Sequence, residues 1–250
     1  MVDLKLGGDR AAEIDRIPEA ELAQLLESHD LWLASAGLAG ERFDRPGANL
    51  IYAGLRQANL QQANLPGACL HHANLRECDF ASANLAGANL VGASLVNAIL
   101  AHAVLTGANL DQAVIPGVDF ERADLSGARL RATNLLSANF NCTRACGVDL
   151  SEANLAGAIV RDSVLDDADF TDAKLMLVNF SGSSLKRAVL THAVMFGAIL
   201  AETDLSDADL SSALGLTAAQ VALAYGNNGT RLPPALAGVI LRATTPVSPP

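Results

Sequence analysis

Residues 47–70 read GANLIYAGLRQANLQQANLPGACL, and within them Leu50, Leu55, Leu60, Leu65 and Leu70 fall at strict intervals of five. The register runs on without a slip to Leu210. Where Leu is replaced the residue stays apolar, as at Phe80, Ile115, Phe120, Phe140, Val160, Phe170, Phe180 and Met195, with Ala145 the smallest. Two residues before each stands a small side chain: Ala48, Ala53, Ala58, Ala63, Ala68 and Ala73 at first, then Cys78, Thr133, Thr143, Ser163, Thr203 or a Val among the alanines. A period of five suits neither the turn of an amphipathic helix nor the alternation of a half-buried strand, so the chain must turn a corner in every repeat. Units this short cannot bury their own apolar face, and stacking into a solenoid is the arrangement that buries it.

A longer period is written on the outward positions. Gly47, Gly67, Gly87, Gly107, Gly127 and Gly147 recur at twenty, whereas Gln57, Glu77 and Asn97, halfway between, are not Gly. Four pentapeptides per coil is the simplest explanation; duplication in units of twenty leaves the same trace. With coils spaced like neighbouring strands, at roughly 4.7–4.9 Å, about eight coils make a rod on the order of 40 Å long. Leu and the small residue point inward and the other three positions outward. The residue between the two inward ones is most often Asn or Asp (Asn49, Asn59, Asn64, Asn74, Asp79, Asn84, Asn89), side chains that bond to nearby backbone and suit a chain that turns every five residues. This row of carboxamides is read as turn chemistry, not as a binding ladder.

The stretches 47–70 and 125–140 (LSGARLRATNLLSANF) resemble the pentapeptide repeat family, whose pattern is A-(D/N)-L-x-x, and the match covers about two thirds of the chain. The resemblance implies an all-β solenoid, a right-handed quadrilateral β-helix with four faces per coil. It also implies action by presenting surface to a partner protein. Some members look like duplex DNA and bind type II topoisomerases, and the family has no shared catalytic site. Such a name carries fold far more than function.

A solenoid has two open ends that need covering. At the first, Ile17 precedes Pro18, a favoured first helical residue; Leu22, Leu25, Leu26 and His29 follow at helical spacing, and Gly37 can stop the helix. The lone Trp32 is expected over the first coil. Phe43 in a small-residue position and Arg45 in a Leu position mark a degenerate first repeat. At the other end Thr217 and Gln220 form a capping box, with Leu216 and Val221 placed for a hydrophobic staple, and the run from Gly226 to Gly229 ends the helix. Leu236 to Leu241 is an apolar segment that could lie back along the rod. The predicted organisation is therefore a helical cap and degenerate repeat over 1–47, the β-helix over 48–212, a helical cap over 213–241 and a disordered tail over 242–250. The flanks HDLWLASAGLAGERF (29–43) and GLTAAQVALAYGNNGTRLPP (215–234) are similar to segments beside such repeats in bacterial proteins.

Composition bounds the rest. The 250 residues are 50% hydrophobic but only 4% aromatic, which fits one long, slender core. No run approaches the roughly 18 apolar residues of a membrane span, and MVDLKLGGDR lacks an apolar signal core, so a cytoplasmic location is expected. Four scattered Cys do not make a disulfide scaffold and are expected to be reduced; Cys142 and Cys146 lack the His or second pair a metal site needs. His71 and His72 have no carboxylate in register on adjacent coils, and His192 shares a column with His72 at about 29 Å, so no catalytic dyad or triad is predicted. No phosphate-binding loop or metal-ligand cluster is present in the sequence, and the reading is a non-enzyme without cofactor or metal.

A formal net charge of −10 opposes direct nucleic-acid binding. Acid residues gather in the second half: Asp149, Glu152, Asp162, Asp166, Asp167, Asp169 and Asp172, then Glu202, Asp204, Asp207 and Asp209. At twenty residues per coil Asp149, Asp169 and Asp209 share a column interrupted by Val189, while Arg161, Lys174, Lys186 and Arg187 break the field. The sharper feature is apolar. Val96, Pro116, Leu136, Ala156, Met176 and Phe196, spaced by twenty, occupy one outward position; Val114, Leu177 and Val194 flank them, and the equivalent position elsewhere carries essentially Ile51 and Val91. Such a stripe marks a contact surface. The expectation is cover by the C-terminal tail or a second copy near Phe196, with Val96 to Leu136 left for a partner. Functionally this gives a protein-interaction rod with an unidentified protein partner, homodimerisation through the C-terminal end being one arrangement. The alternative is an acidic DNA mimic that inhibits or protects a type II topoisomerase.

Overall fold

A computed structural model describes residues 16–243 of the chain. From Asp44 onward every fifth residue forms a parallel bridge with the residue twenty positions later: Asp44 with Asn64, Asn49 with Cys69, Gly54 with Asn74, Asn59 with Asp79. The pattern repeats to Val194 and Leu214. Each face contributes one bridged residue, so the coil is a square of short pairings, and longer strands have no room to form. The spacing of the bridges decides between the two explanations of the twenty-residue period in favour of four pentapeptides per coil.

One repeat shows how the corner is made. Leu50 N–H donates to the Cys69 carbonyl (2.8 Å), Ala53 N–H closes a turn on the Leu50 carbonyl (3.0 Å), and between them Tyr52 has φ 58° and donates to the His71 carbonyl (3.0 Å). This is a turn with positive φ at its third residue, where glycine is favoured. The glycines at 47, 67, 87, 107, 127 and 147 all occupy that place, with φ between 64° and 68°. At other corners Gln57, Glu77 and Asn97 adopt the same conformation, at about 1–2 kcal/mol each, offset by the main-chain bond each corner makes to the next coil. The Asn and Asp side chains do the expected turn work: Asn49 Oδ1 accepts from Ile51 N–H (3.3 Å), Asp79 Oδ1 from Ala81 N–H (2.9 Å) and Asp124 Oδ1 from Ser126 N–H (2.9 Å).

The axis is filled by the every-fifth residues and the small residues between them, nearly all without solvent exposure. Several buried hydroxyls and the Cys78 thiol are satisfied by carbonyls of the preceding coil: Cys78 by Leu55 (2.6 Å), Thr143 by Phe120 (2.9 Å), Ser163 by Phe140 (2.6 Å) and Thr203 by Phe180 (2.9 Å). Burial pushes the Cys78 thiol up to about 11, leaving it an inert core atom. All four cysteines are free.

Helix α1, Glu19–Ala34, lies over the first coil, with Leu22 buried in the common core beside Phe43, and Ile17, Leu25 and Leu26 packed on it. Pro18 is the residue before the first helical one, not the first itself, and Ile17 N–H pairs with the Asn49 carbonyl at 3.1 Å. The residue that first turns left-handed at the end of α1 is Ala36 (φ 52°), followed by Gly37 (φ 87°) with its N–H on the Trp32 carbonyl. Trp32 stacks on His29 (5.7 Å between rings). Phe43 is buried and Arg45 half-buried, as a degenerate repeat requires.

The other end departs from expectation. Helix α2 is a single turn, Ala218–Val221, with the Thr217–Gln220 capping box in place. It stops well before Gly226 because the chain returns to the ladder: Tyr225 bridges Asp204 and Arg231 bridges Asp209. Strand β1, Tyr225–Gly226, then pairs in parallel with β2, Arg242–Ala243, after a short 3-10 turn at Pro234–Leu236. The segment up to Leu241 therefore crosses the open end and adds a layer to it, and does not lie back along the rod. Unpaired main chain on the last coil is what this extra layer satisfies. Of the tail predicted as disordered over 242–250, Arg242 and Ala243 are instead held in β2 by the last layer, and the remainder lies outside the described residues.

Candidate functional site: an apolar corner

The six stripe residues each follow an inward residue and stand at the same corner. Main-chain bonds tie the column together: Asn97 N–H to Pro116 O (3.1 Å), Gly117 N–H to Leu136 O (3.0 Å), Ser137 N–H to Ala156 O (3.1 Å), Gly157 N–H to Met176 O (2.9 Å) and Leu177 N–H to Phe196 O (2.9 Å). At the coil spacing Val96 and Phe196 are about 24 Å apart. Exposure varies along the column and is greatest at its C-terminal end, at Phe196. Val96, Pro116 and Ala156 are half-buried, whereas Leu136 is 44%, Met176 38% and Phe196 58% exposed, with the flanking Leu177 at 69%.

Glycines shape the exposed end. A Cβ on Gly197 would strike Leu177 Cδ2, and one on Gly215 would strike the Phe196 ring. Each large side chain thus lies over the glycine twenty or nineteen residues on. Residues 216–243 leave Phe196 exposed, so the expectation that the tail covers this end fails for the described residues; the tail is consumed by the axial layer. The flank is richer than the sequence reading allowed. Val114 is exposed and Val194 half-buried, Leu214 is exposed where it bridges Val194, and Ile99, Ile159 and Ile199 are exposed on the adjoining face. The three isoleucines occupy the Asn/Asp turn position, and their departure from that pattern was the available signal. Ile51, read as outward, is buried; Val91 is half-buried.

The acidic residues have a different fate. Asp149 and Asp169 bridge each other, and the column passes through Val189 to Asp209 as expected. Most of these carboxylates are committed. Asp149 Oδ1 accepts from Ser151 N–H (3.0 Å) and its hydroxyl (2.6 Å), and Asp169 Oδ1 accepts from Thr171 N–H (2.8 Å). Asp209 is held below the usual carboxylate range first by Ser211 and then by Arg231, 3.4 Å away. Arg187 clamps Asp167 through two 2.7 Å bonds, which lowers that carboxyl, and lies 3.9 Å from Asp166. Lys186 reaches Asp204 at 3.3 Å. Asp162, Asp167 and Asp172 stand at three successive corners of one coil, each with positive φ, and Asp207 lies two coils above Asp167 against Gly229, so the charge is spread around the rod.

One pairing was missed. His192 Nδ1 lies 3.6 Å from Asp172 Oδ1, one coil below, where the sequence reading had found no dyad. Both groups are exposed, and Ser212, next in the column, accepts with its hydroxyl from the His192 main-chain N–H (3.1 Å). His71, His72 and Tyr52 form a small stack lower on the same corner, His72 standing six coils below His192. Among the described residues no group of three His, Cys, Asp or Glu is placed to hold a metal, and no helix is long and apolar enough to cross a membrane.

The sequence profile described as pentapeptide repeats matches in eight copies over residues 47–81, 78–115, 117–151, 149–175 and 173–211. The chain belongs to the pentapeptide repeat family. Its fold is the right-handed β-helix solenoid of that family. Similar solved structures include HetL, a pentapeptide repeat protein involved in heterocyst differentiation regulation from the cyanobacterium Nostoc (27% identity over 86% of this chain and 100% of that one, TM-score 0.38). Others are a trypsin-treated QnrB1, a plasmid-mediated fluoroquinolone resistance protein (17%, 70% and 91%, TM-score 0.37), and a pentapeptide repeat protein from the Arabidopsis thaliana thylakoid lumen (21%, 49% and 68%, TM-score 0.18). No curated protein matches the chain.

Proposed function

We propose that this pentapeptide repeat protein acts without catalysis, as a rod that presents the corner Val96, Pro116, Leu136, Ala156, Met176 and Phe196 to a protein partner. The observation that carries the reading is the unbroken apolar column, most exposed at Leu136, Met176, Leu177 and Phe196. Contiguous apolar surface of this kind is uncommon on a solvated rod and stabilises contacts through burial. In this reading the terminal segments act as caps on about eight coils, with the described part of the N-terminal segment, 16–47, and 213–241 closing the ends of 48–212, and the rod works in the cytoplasm, consistent with four free thiols. The C-terminal layer, whose β2 is exposed, is where two copies would meet if the protein dimerises.

The alternative, an acidic mimic of DNA directed at a type II topoisomerase, draws on the net charge of −10 and on the Asp149, Asp169 and Asp209 column. Pairing with Lys186, Arg187 and Arg231 weakens the field that such mimicry requires. Leu136→Glu separates the two. It is expected to weaken partner binding at least tenfold while leaving the thermal midpoint nearly unchanged, because a buried charge without a partner is costly at an interface and harmless on a free surface. Binding unaffected by Leu136→Glu and abolished when Asp149, Asp169 and Asp209 become Asn would replace the first reading by the second.

A further inference from the structure

His29 is completely buried between α1 and the first coil, an unusual place for a group that titrates near neutrality. Its Nδ1 accepts the Phe43 main-chain N–H at 3.0 Å, which requires Nδ1 to be unprotonated and puts the ring hydrogen on Nε2. Nε2 is itself buried without a hydrogen-bond partner among the described residues. The ring stacks on Trp32 and meets Phe43 edge-on, with centroids 5.7 and 6.4 Å away. A second proton on this ring would set an N–H against the Phe43 N–H and bury a positive charge against the Trp32 and Phe43 rings.

We propose that His29 is a pH-sensitive latch that holds α1 on the first coil while the ring is neutral and releases it when the ring is protonated. Charged groups facing the ring come from both neighbours: Asp30 on α1 favours the charged form, and Arg42 on the linker opposes it, itself 2.8 Å from Asp44. From the coil, the main chain of Gln61 bears on the ring and favours the charge. Burial outweighs these and pushes the His29 pKa below its ordinary value. The sign follows by linkage. The released state takes up a proton at about pH 6.5 and the docked state only at lower pH, so docking is fully supported above about 6.5 and lost as pH falls through the docked value. Between the two values docking weakens about tenfold per pH unit. Release uncovers Phe43 and Leu50, which turns the first coil into an open end.

Trp32 is the only tryptophan in the chain and stacks on the latch, so its emission reports docking. The test follows that emission, with helical circular dichroism, from about pH 8 to about pH 5 on the full chain and on His29→Asn, whose carbonyl can accept from Phe43 N–H but does not titrate. The expected result is a red shift below about pH 6.5 in the parent chain and none in His29→Asn. A parent chain without the shift, or a variant with the same shift, overturns the proposal. Should His29→Asn be undocked already at neutral pH, the ring resonances of the parent chain decide. His29 protonating in step with the emission change supports the latch; protonation without that change contradicts it.

Discussion

A corner and a face of the same rod share a backbone and differ in what their side chains can do. Along the column from Asp149 to Asp209, three carboxylates have partners within reach: a Ser or Thr two residues on, and at Asp209 also Arg231. Along the column from Val96 to Phe196, Leu136, Met176 and Phe196 have nothing to bond and remain exposed, the last lying over Gly215. The difference teaches that acidity alone is a poor marker of a binding face in this architecture, since Asp is also the residue its turns ask for. A side chain the turn does not need, held out at each coil, is the stronger sign.

The contrast can be sharpened by neighbouring substitutions. Leu135 is fully buried and Leu136 is an exposed neighbour on the stripe. Leu135→Ala is expected to cost about 2–5 kcal/mol by urea unfolding, the range for a buried Leu with no room to collapse, and Leu136→Ala less than about 0.5 kcal/mol. Equal costs would mean that the corner is part of the core.

A smaller effect separates the two kinds of glycine. Gly127 has φ 65° with open space around a built Cβ, and Gly54 has open space without positive φ. Gly127→Ala should destabilise by about 1–2 kcal/mol, and Gly54→Ala should be neutral or stabilise by up to about 1 kcal/mol. Thermal midpoints of the two variants test whether backbone conformation alone sets the demand for glycine at the corners. The smallest expected effect is on the acidic side. Replacing Arg187 with Ala frees Asp167 on an exposed surface, and the midpoint should not move measurably in physiological salt. A clear loss would show that the acidic corners hold the rod together.

The inward half of the fold was legible because burial at the axis leaves one choice per position: Leu50 to Leu210 by fives, with a small residue two before. The bridge pattern at twenty followed from the glycines, whose place in the turn the structure explains. The ends were less legible. The capping box at Thr217 is local and was read correctly, but whether the chain after Val221 stays helical depends on unpaired main chain of the last coil, which no local pattern records. Ile99, Ile159 and Ile199 were overlooked since they interrupt an Asn/Asp column that had been assigned to turns. Asp172 and His192 stand twenty residues apart on one corner, so their approach is legible from the coil period alone.

Photo-crosslinking tests the central claim most directly. A crosslinking residue at position 136 and another at position 169 sample the apolar corner and the acidic face on one rod in the organism's own extract. The apolar-corner account predicts a discrete adduct from position 136, suppressed by Phe196→Glu, and none from position 169. Adducts from position 169 with none from position 136 would contradict it and hand the interaction to the acidic column.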